Sequence, residues 1–346
     1  MSLVRIVNWL LTRRCNLSCD YCAITRDYNS MPYPKMSYYK NNEMSTKTII
    51  NALRNFKKHN PGIFHIFYGG EPLLRKDLPE IINFCNENQI HYTIISNNTS
   101  GIQTHIKRLF EKTDYVEGFT SSVDPIFNST IDNHKDRIRK SVEGMKRLKE
   151  IQARGDVKDV VAEITVMNEN KHLLLDLVGE LSENNIYSDI TFVDIAKSLY
   201  YDFSNINDQN ILVRPTLDLA QTFLTMLQDD SLLIHMKDFL LDKMFDTLPS
   251  NFDCELEKGV HNVTIDADGS MRLCLRIKGV LVPHFHVNEL FSDDDMTLFR
   301  NEFPNRIKAE KRAWCDLCNH SCLMMSKYID DNEKGQDDLI HKEKRL

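Results

Sequence analysis

No stretch of the chain carries the ~20 uninterrupted apolar residues that a membrane-spanning helix needs, and the residues ahead of Cys15 hold no signal-peptide cleavage site. Positive charge is not in excess either: 43 Lys and Arg stand against 50 Asp and Glu, a formal net charge of −7. That balance removes the electrostatic footprint of a nucleic-acid binder, or of a protein held on an anionic membrane surface. With 42% hydrophobic and 27% charged residues, the composition is neither disordered nor fibrous. A chain of 346 residues can bury a large core, as one α/β domain or as a domain with a smaller appendage. These absences predict a cytoplasmic globular protein without nucleic-acid or membrane partners.

In a reducing compartment, clustered cysteines are metal ligands or catalytic thiols more often than disulfides. Nine are present, and eight form two groups: Cys15, Cys19 and Cys22 near the start, then Cys254, Cys274, Cys315, Cys318 and Cys322. Cys85 stands alone in the helical pattern "LPEIINFCNEN" and reads as a small buried apolar residue.

Between the two groups the pattern alternates. β-Branched and aromatic runs fall at 4–11, 63–70, 90–98, 115–123, 160–167 and 189–195, with helical periodicity at 45–59, 77–88, 102–112, 134–153 and 170–184. Strand and helix at this spacing predict βαβ units and a parallel sheet covered by helices. Six strands fit a complete or partial (β/α) barrel or an open doubly wound sheet, and in each the chemistry gathers at the C-terminal strand ends. Polar or small residues follow five strands in order. They are the Cys15, Cys19, Cys22 run; "GGEP" (Gly69, Gly70, Glu71, Pro72); "SNN" (Ser96, Asn97, Asn98); "SSVD" (Ser121, Ser122, Val123, Asp124); and "MNEN" with Asn168. Five in sequence point to one shared site.

Three thiolates within eight residues can wrap one face of a metal centre. A structural zinc site wants four ligands, whereas a [4Fe-4S] cluster on three cysteines leaves one iron open to a non-protein ligand. A zinc knuckle or a redox thiol cluster is the alternative, and neither explains "GGEP" after the second strand.

The spacing C-x3-C-x2-C, with the aromatic Tyr21 before the last cysteine and directly after the first strand, resembles the radical S-adenosylmethionine (SAM) enzymes. The resemblance covers roughly residues 4–195 and implies a partial (β/α)6 barrel of radical SAM type over 1–196. It implies that a [4Fe-4S] cluster on Cys15, Cys19 and Cys22 chelates S-adenosyl-L-methionine and cleaves it reductively to a 5′-deoxyadenosyl radical, which abstracts a substrate hydrogen. "GGEP" is similar to the segment that meets the methionine amino group. Ser96, Asn97 and Asn98, with Ser122 and Asp124, resemble ribose and carboxylate contacts, and Asn168 an adenine-side one. "DNHKDRIRKSVEGMKRLKE" reads like the helix after the fourth strand in this family. An electron donor such as flavodoxin or ferredoxin is implied as partner.

The second cysteine group opens as C-x14-G-x4-C around "VTIDADGSMRLCL", where Asp268-Gly269 predicts a hairpin that returns Cys274 beside the strand start near Cys254. This resembles the auxiliary-cluster domain of radical SAM enzymes called SPASM, or its shorter form, twitch. It implies a small iron–sulfur domain over 251–330. No cysteine follows Cys322, so one auxiliary [4Fe-4S] cluster is expected, on Cys254, Cys274, Cys315 and Cys318, with a zinc ribbon as the alternative. Cys322 is left as a spare thiol that could donate hydrogen to a substrate radical, or as a replacement ligand. Because an auxiliary cluster is an electron acceptor, oxidation or crosslinking is favoured over epimerisation.

Residues 197–250 read as a linker with helices whose Met and Phe stripes belong to the core; 331–346 read as a charged solvated tail. His284 and His286 read as solvent-side residues of a strand. Members of this kind modify peptides or oxidise small cyclitols. Because Cys15 leaves no room for an N-terminal leader-binding domain, the expectation leans towards a small molecule or a peptide presented by another protein.

Overall fold

The computed structural model describes residues 6–17, 19, 22, 42–123, 134–167, 170–192, 217–235, 262–272 and 286–287. Strand and helix alternate through the first two hundred: β1 (Ile6–Leu10), α1 (Thr46–His59), β2 (Phe64–Tyr68), α2 (Leu78–Glu87), β3 (His91–Ser96), α3 (Gln103–Lys112), β4 (Val116–Ser122), α4 (His134–Ala153), β5 (Val157–Val166), α5 (Leu174–Glu183) and β6 (Tyr187–Phe192). Then come α6 (Leu217–Gln228), β7 (Asn262–Ile265) and β8 (Met271–Arg272). The sheet order is β6-β5-β4-β3-β2-β1-β7-β8: seven strands run parallel, β8 turns back antiparallel, and the sheet stays open. The expected α/β architecture is present.

Each helix forms for local reasons. In α1 the Ser45 hydroxyl caps the start by accepting from Thr48 N at 3.1 Å, and Lys57, Lys58 and His59 sit at the negative end of the helix dipole. Its buried residues Ile49, Ala52, Leu53 and Phe56 follow the 3.6-residue period and pack on the strands; Phe56 meets Trp9 edge-on at 6.1 Å. Burying a side chain such as Phe56 contributes about 2–3 kcal/mol. Along the strands Val7, Trp9, Phe67, Tyr92, Ile94, Phe119, Val160 and Ala162 enter this core. Residues of the opposite parity, among them Asn8, Thr93, Thr120, Glu163 and Thr165, stay half-buried on the other face of the sheet. Cys85 is fully buried, as its context suggested, and burial pushes its thiol far above the usual range.

Three features differ from the sequence reading. Residues 170–173 are not yet α-helix: Asn170 Oδ1 accepts from Met167 N at 2.7 Å and its Nδ2 donates to Thr165 O, closing a turn before α5. The hairpin at Asp268-Gly269 is formed, but its first strand is a seventh member of the main sheet, in parallel register with β1 (Trp9 opposite Ile265). Gly269 has φ +91°, and a Cβ there would lie 2.6 Å from the His286 ring, so only glycine fits. His286 is accordingly not a solvent-side residue. It is half-buried, bridged to Ser270, with Nε2 at 2.6 Å from Asp268 O. In α6, Phe223 and Met226 are fully buried, as expected of core. His284, the rest of 197–250 and the tail lie outside the described residues.

Candidate active site at the C-terminal strand ends

The site begins where β1 ends. Leu11 N donates to Tyr68 O at 2.7 Å, Gly70 N to Thr12 O at 2.7 Å and Glu71 N to Arg14 O at 2.8 Å, so β1 and β2 remain bonded beyond their last sheet residues. Gly69 and Gly70 make this possible: a Cβ on Gly69 would fall on Thr12 O, and one on Gly70 on Arg14 O. The two glycines of "GGEP" therefore let the chain press against the segment that enters the cysteine loop.

Glu71 is fully buried. Its carboxylate accepts from Leu73 N at 3.0 Å, Asn97 N at 2.9 Å and Ser96 Oγ at 3.0 Å, joining the end of β2 to the end of β3. Burial pushes its pKa up to about 7, against the pull of those three donors. Pro72 follows in a short turn, Pro72–Leu74, that Glu71 caps.

From β3, Asn97 reaches back to the cysteine loop. Its Nδ2 donates to Asn16 Oδ1 at 2.8 Å and lies 3.8 Å from Cys15 Sγ; its Oδ1 accepts from Thr99 Oγ1 at 2.8 Å, and Asn16 Nδ2 donates to Thr99 Oγ1 at 2.9 Å. Asn98 takes φ +45°, and Gln103 Nε2 donates to its Oδ1 at 2.8 Å. Ser122 ends the neighbouring strand β4, half-buried; Ser96 is in register with the adjacent Ser121.

Cys15, Cys19 and Cys22 are not in disulfides, and each is half-buried. Cys15 Sγ accepts from Leu17 N at 3.4 Å, and Cys22 N donates to Cys19 O at 3.1 Å. Desolvation raises Cys15 to about 11, and the Glu71 and Cys22 charges add to that. Three soft thiols on one loop match the donor set of an iron–sulfur cluster with an open iron. Among the described residues no three His, Cys, Asp or Glu side chains are gathered at metal-holding distances, so donor chemistry and placement carry the fit.

Both ends of the cysteine loop are clamped. Glu43 Oε1 accepts from Thr12 Oγ1 at 2.5 Å and from Arg14 Nε at 3.2 Å. Arg75, itself buried, donates to Leu11 O and Met44 O, each at 2.9 Å, and is held by Asp77 at 2.6 Å. Met44 N donates to Ala267 O at 2.7 Å. Arg13 forms a buried ion pair with Asp266, whose carboxyl burial raises despite that cation. None of Arg13, Asn16, Glu43, Arg75 and Asp266 was singled out from sequence. Asn16 sits inside the cysteine run and could have been noticed there; nothing in the sequence joins Arg13 to Asp266.

The structure thus brings together Cys15, Gly69, Gly70, Glu71, Pro72, Ser96, Asn97 and Asn98, with Ser122 one strand away. Tyr21, Asp124 and Asn168 lie outside the described residues, as do Cys254, Cys274, Cys315, Cys318 and Cys322.

Comparison with known proteins bears on this arrangement. Residues 9–181 match the Radical SAM superfamily. The chain is 36% identical over 110 residues to the Fe-coproporphyrin III synthase of Methanosarcina barkeri, covering 31% of this chain and 24% of that protein. It is 35% identical over 82 residues to the AdoMet-dependent heme synthase of Oleidesulfovibrio alaskensis, covering 23% and 18%. The chain therefore spans a quarter or less of the length of these curated relatives. Among solved structures, Streptococcus suis SuiB bound to S-adenosylmethionine superposes with a TM-score of 0.59 at 17% identity, over 94% of this chain and 75% of that one. The protein anSMEcpe bound to AdoMet and a Kp18Cys peptide gives 0.50 at 15%, over 91% and 88%. At those identities the likeness is one of fold.

Proposed function

The chain belongs to the radical SAM superfamily, and on that premise we propose that it cleaves S-adenosylmethionine reductively and uses the product to abstract a hydrogen atom from a small molecule or a peptide. A [4Fe-4S] cluster on Cys15, Cys19 and Cys22 would supply the electron for that cleavage when bound. The observation that carries the reading is the convergence of three strand ends: the cysteine loop on Gly69-Gly70, Glu71 on Ser96 and Asn97, and Asn97 on Asn16 beside Cys15.

The chain's own residues prepare the site. Glu71 fixes the β3 end so that Asn97 presents its amide towards the loop, where a ribose or carboxylate would lie, with Asn98 next to it held by Gln103; Gly69 and Gly70 keep side chains out of the approach. Ser122 extends the polar edge by one strand, and Asp124, Asn168 and Tyr21 complete the proposed set. Thr120, Glu163 and Thr165, half-buried on the sheet face opposite the helix-packed core, offer hydrogen-bonding groups to a substrate.

We extend the proposal to the second cysteine group: an auxiliary [4Fe-4S] cluster of SPASM or twitch type on Cys254, Cys274, Cys315 and Cys318. It would accept an electron from a substrate radical and so favour oxidation or crosslinking, with Cys322 as spare thiol and hydrogen-donating epimerisation as the alternative. SuiB is described bound to a precursor peptide, SuiA, which keeps a peptide in view. The tetrapyrroles in the relatives' names rest on less than a third of this chain, so they do not enter the proposed substrate.

The test is anaerobic reconstitution with reductant. The chain should convert S-adenosylmethionine to 5′-deoxyadenosine, and replacing Cys15, Cys19 and Cys22 together by Ala should abolish this while iron at the other cysteines remains. Unchanged cleavage in the triple variant would sink the assignment.

A further inference from the structure

Among the groups that border the cysteine loop without a part in the proposed chemistry is Arg13, two residues before Cys15. Arg13 Nε donates to Asp266 Oδ1 at 3.0 Å and its Nη2 to Oδ2 at 2.6 Å, and both side chains are 3% exposed. A planar guanidinium on a planar carboxylate fixes direction as well as distance. Asp266 is itself held rigidly. Ala267 N donates to its Oδ1 at 2.7 Å, Asp266 N donates to Ser270 O at 2.9 Å, and Gly269 N donates to Asp266 O at 2.8 Å. It is a fixed anchor at the base of the β7–β8 turn.

The segment entering the cysteine loop is gripped differently on its two sides. On the β2 side, main-chain bonds do the work: Leu11 N donates to Tyr68 O, Gly70 N to Thr12 O and Glu71 N to Arg14 O. On the β7 side, the parallel register with β1 ends at Trp9 opposite Ile265. Beyond it, the Arg13–Asp266 pair ties this segment to the β7 turn. Stability is a poor reason to bury two ions there. Desolvation of both offsets much of their attraction, and apolar pairs of similar volume commonly serve a fold as well or better. What such a pair provides is a fixed position.

We propose that Arg13 and Asp266 are a positioning pair that sets where Cys15 stands relative to the ends of β2 and β3, and so tunes how the triad's open iron receives S-adenosylmethionine. Neither residue touches the cofactor; both act through the loop. The proposal rests on reading the triad as a cluster site.

The experiment uses the full chain, reconstituted anaerobically, and follows the electron paramagnetic resonance of the reduced protein as S-adenosylmethionine is added. The wild type comes first. A spectrum that S-adenosylmethionine does not change defeats the cluster reading itself, whatever the pair does. The informative variant is the apolar double replacement Arg13→Met with Asp266→Leu, which leaves no unpaired buried charge. Its melting temperature should stay within a few degrees of wild type, while the spectral change should need ~10-fold more S-adenosylmethionine, the scale on which outer-shell residues act at metal sites. Arg13→Lys, which keeps the charge and loses the fork, should shift the titration in the same direction. A wild-type titration in the double variant overturns the proposal. So does a double variant that fails to fold or melts more than about 10 °C lower, because the pair would then be holding the fold.

Discussion

Replacing Glu71 by Ala removes the acceptor for three buried donors, Leu73 N, Asn97 N and Ser96 Oγ, at 2.9 to 3.0 Å. Each donor stranded without a partner costs about 1–3 kcal/mol, and water entering the vacated space recovers part of that. A net loss of about 3 kcal/mol follows, which at roughly 1.4 °C per kcal/mol for a chain of this length lowers the melting temperature by about 4 °C. The same loss frees the β3 end, so Asn97 no longer holds Asn16 beside Cys15, and S-adenosylmethionine binding to the reconstituted protein should weaken about tenfold or more. Glu71→Gln keeps the volume and one oxygen but turns an amide N–H against Asn97 N or Leu73 N. It should cost about 1–2 kcal/mol and leave binding less affected than Ala does. Thermal melting of the apo chain and a cofactor titration of the loaded one are the two assays. A Glu71→Ala protein that melts and binds as wild type does would refute the claim that this carboxylate assembles the site.

Further expectations concern the metal and the core. Two clusters predict about eight irons per chain, whereas four irons with one zinc would assign the C-terminal cysteines to a structural zinc; the same analysis on Cys322→Ala separates a ligand, which loses iron, from a spare thiol, which does not. His65 is buried, accepts from Trp9 Nε1 at 3.0 Å, and desolvation lowers its pKa from 6.5 to about 3. Below pH 6.5 the unfolded chain takes up a proton that the folded chain refuses, so this residue's contribution is present above 6.5 and lost as pH falls towards 3, at about 1.4 kcal/mol per pH unit. Denaturant melts of wild type and His65→Asn, which keeps an acceptor for Trp9, should differ by that slope over pH 6 to 4; parallel curves would contradict it.

The strands were legible because each is a short β-branched or aromatic run set off from a helical stretch. β1 to β6 all lie within a few residues of where periodicity placed them, and Ser45 and Lys57-Lys58-His59 mark α1 by cap and charge. The strand-end polar residues were legible for the same reason: parallel topology brings them to one edge. Partner choice was not legible. Nothing local in "VTIDADGSMR" says that β7 seats beside β1, since its hairpin signal fits a separate small domain as well as a sheet edge. Glu71 read as a cofactor contact; that its carboxylate also braces β2 to β3 through three donors depends on which way a buried side chain turns, which no local pattern states. Nothing local singles out Arg13, because its counterion lies 253 residues away.

That distance has a temporal side. At ~5–20 residues per second, roughly 13–50 seconds of synthesis separate Arg13 from Asp266 on the ribosome. For most of that interval β1 can pair with β2 while its edge towards β7 stays open, because Asp266 and its hairpin are not yet made. An unpaired strand edge on a growing chain is an invitation to wrong partners. The bond that joins the entry of the cysteine loop to the β7 turn can form only once Asp266 has been made, so the N-terminal loop takes its final place late, after the strands beside it.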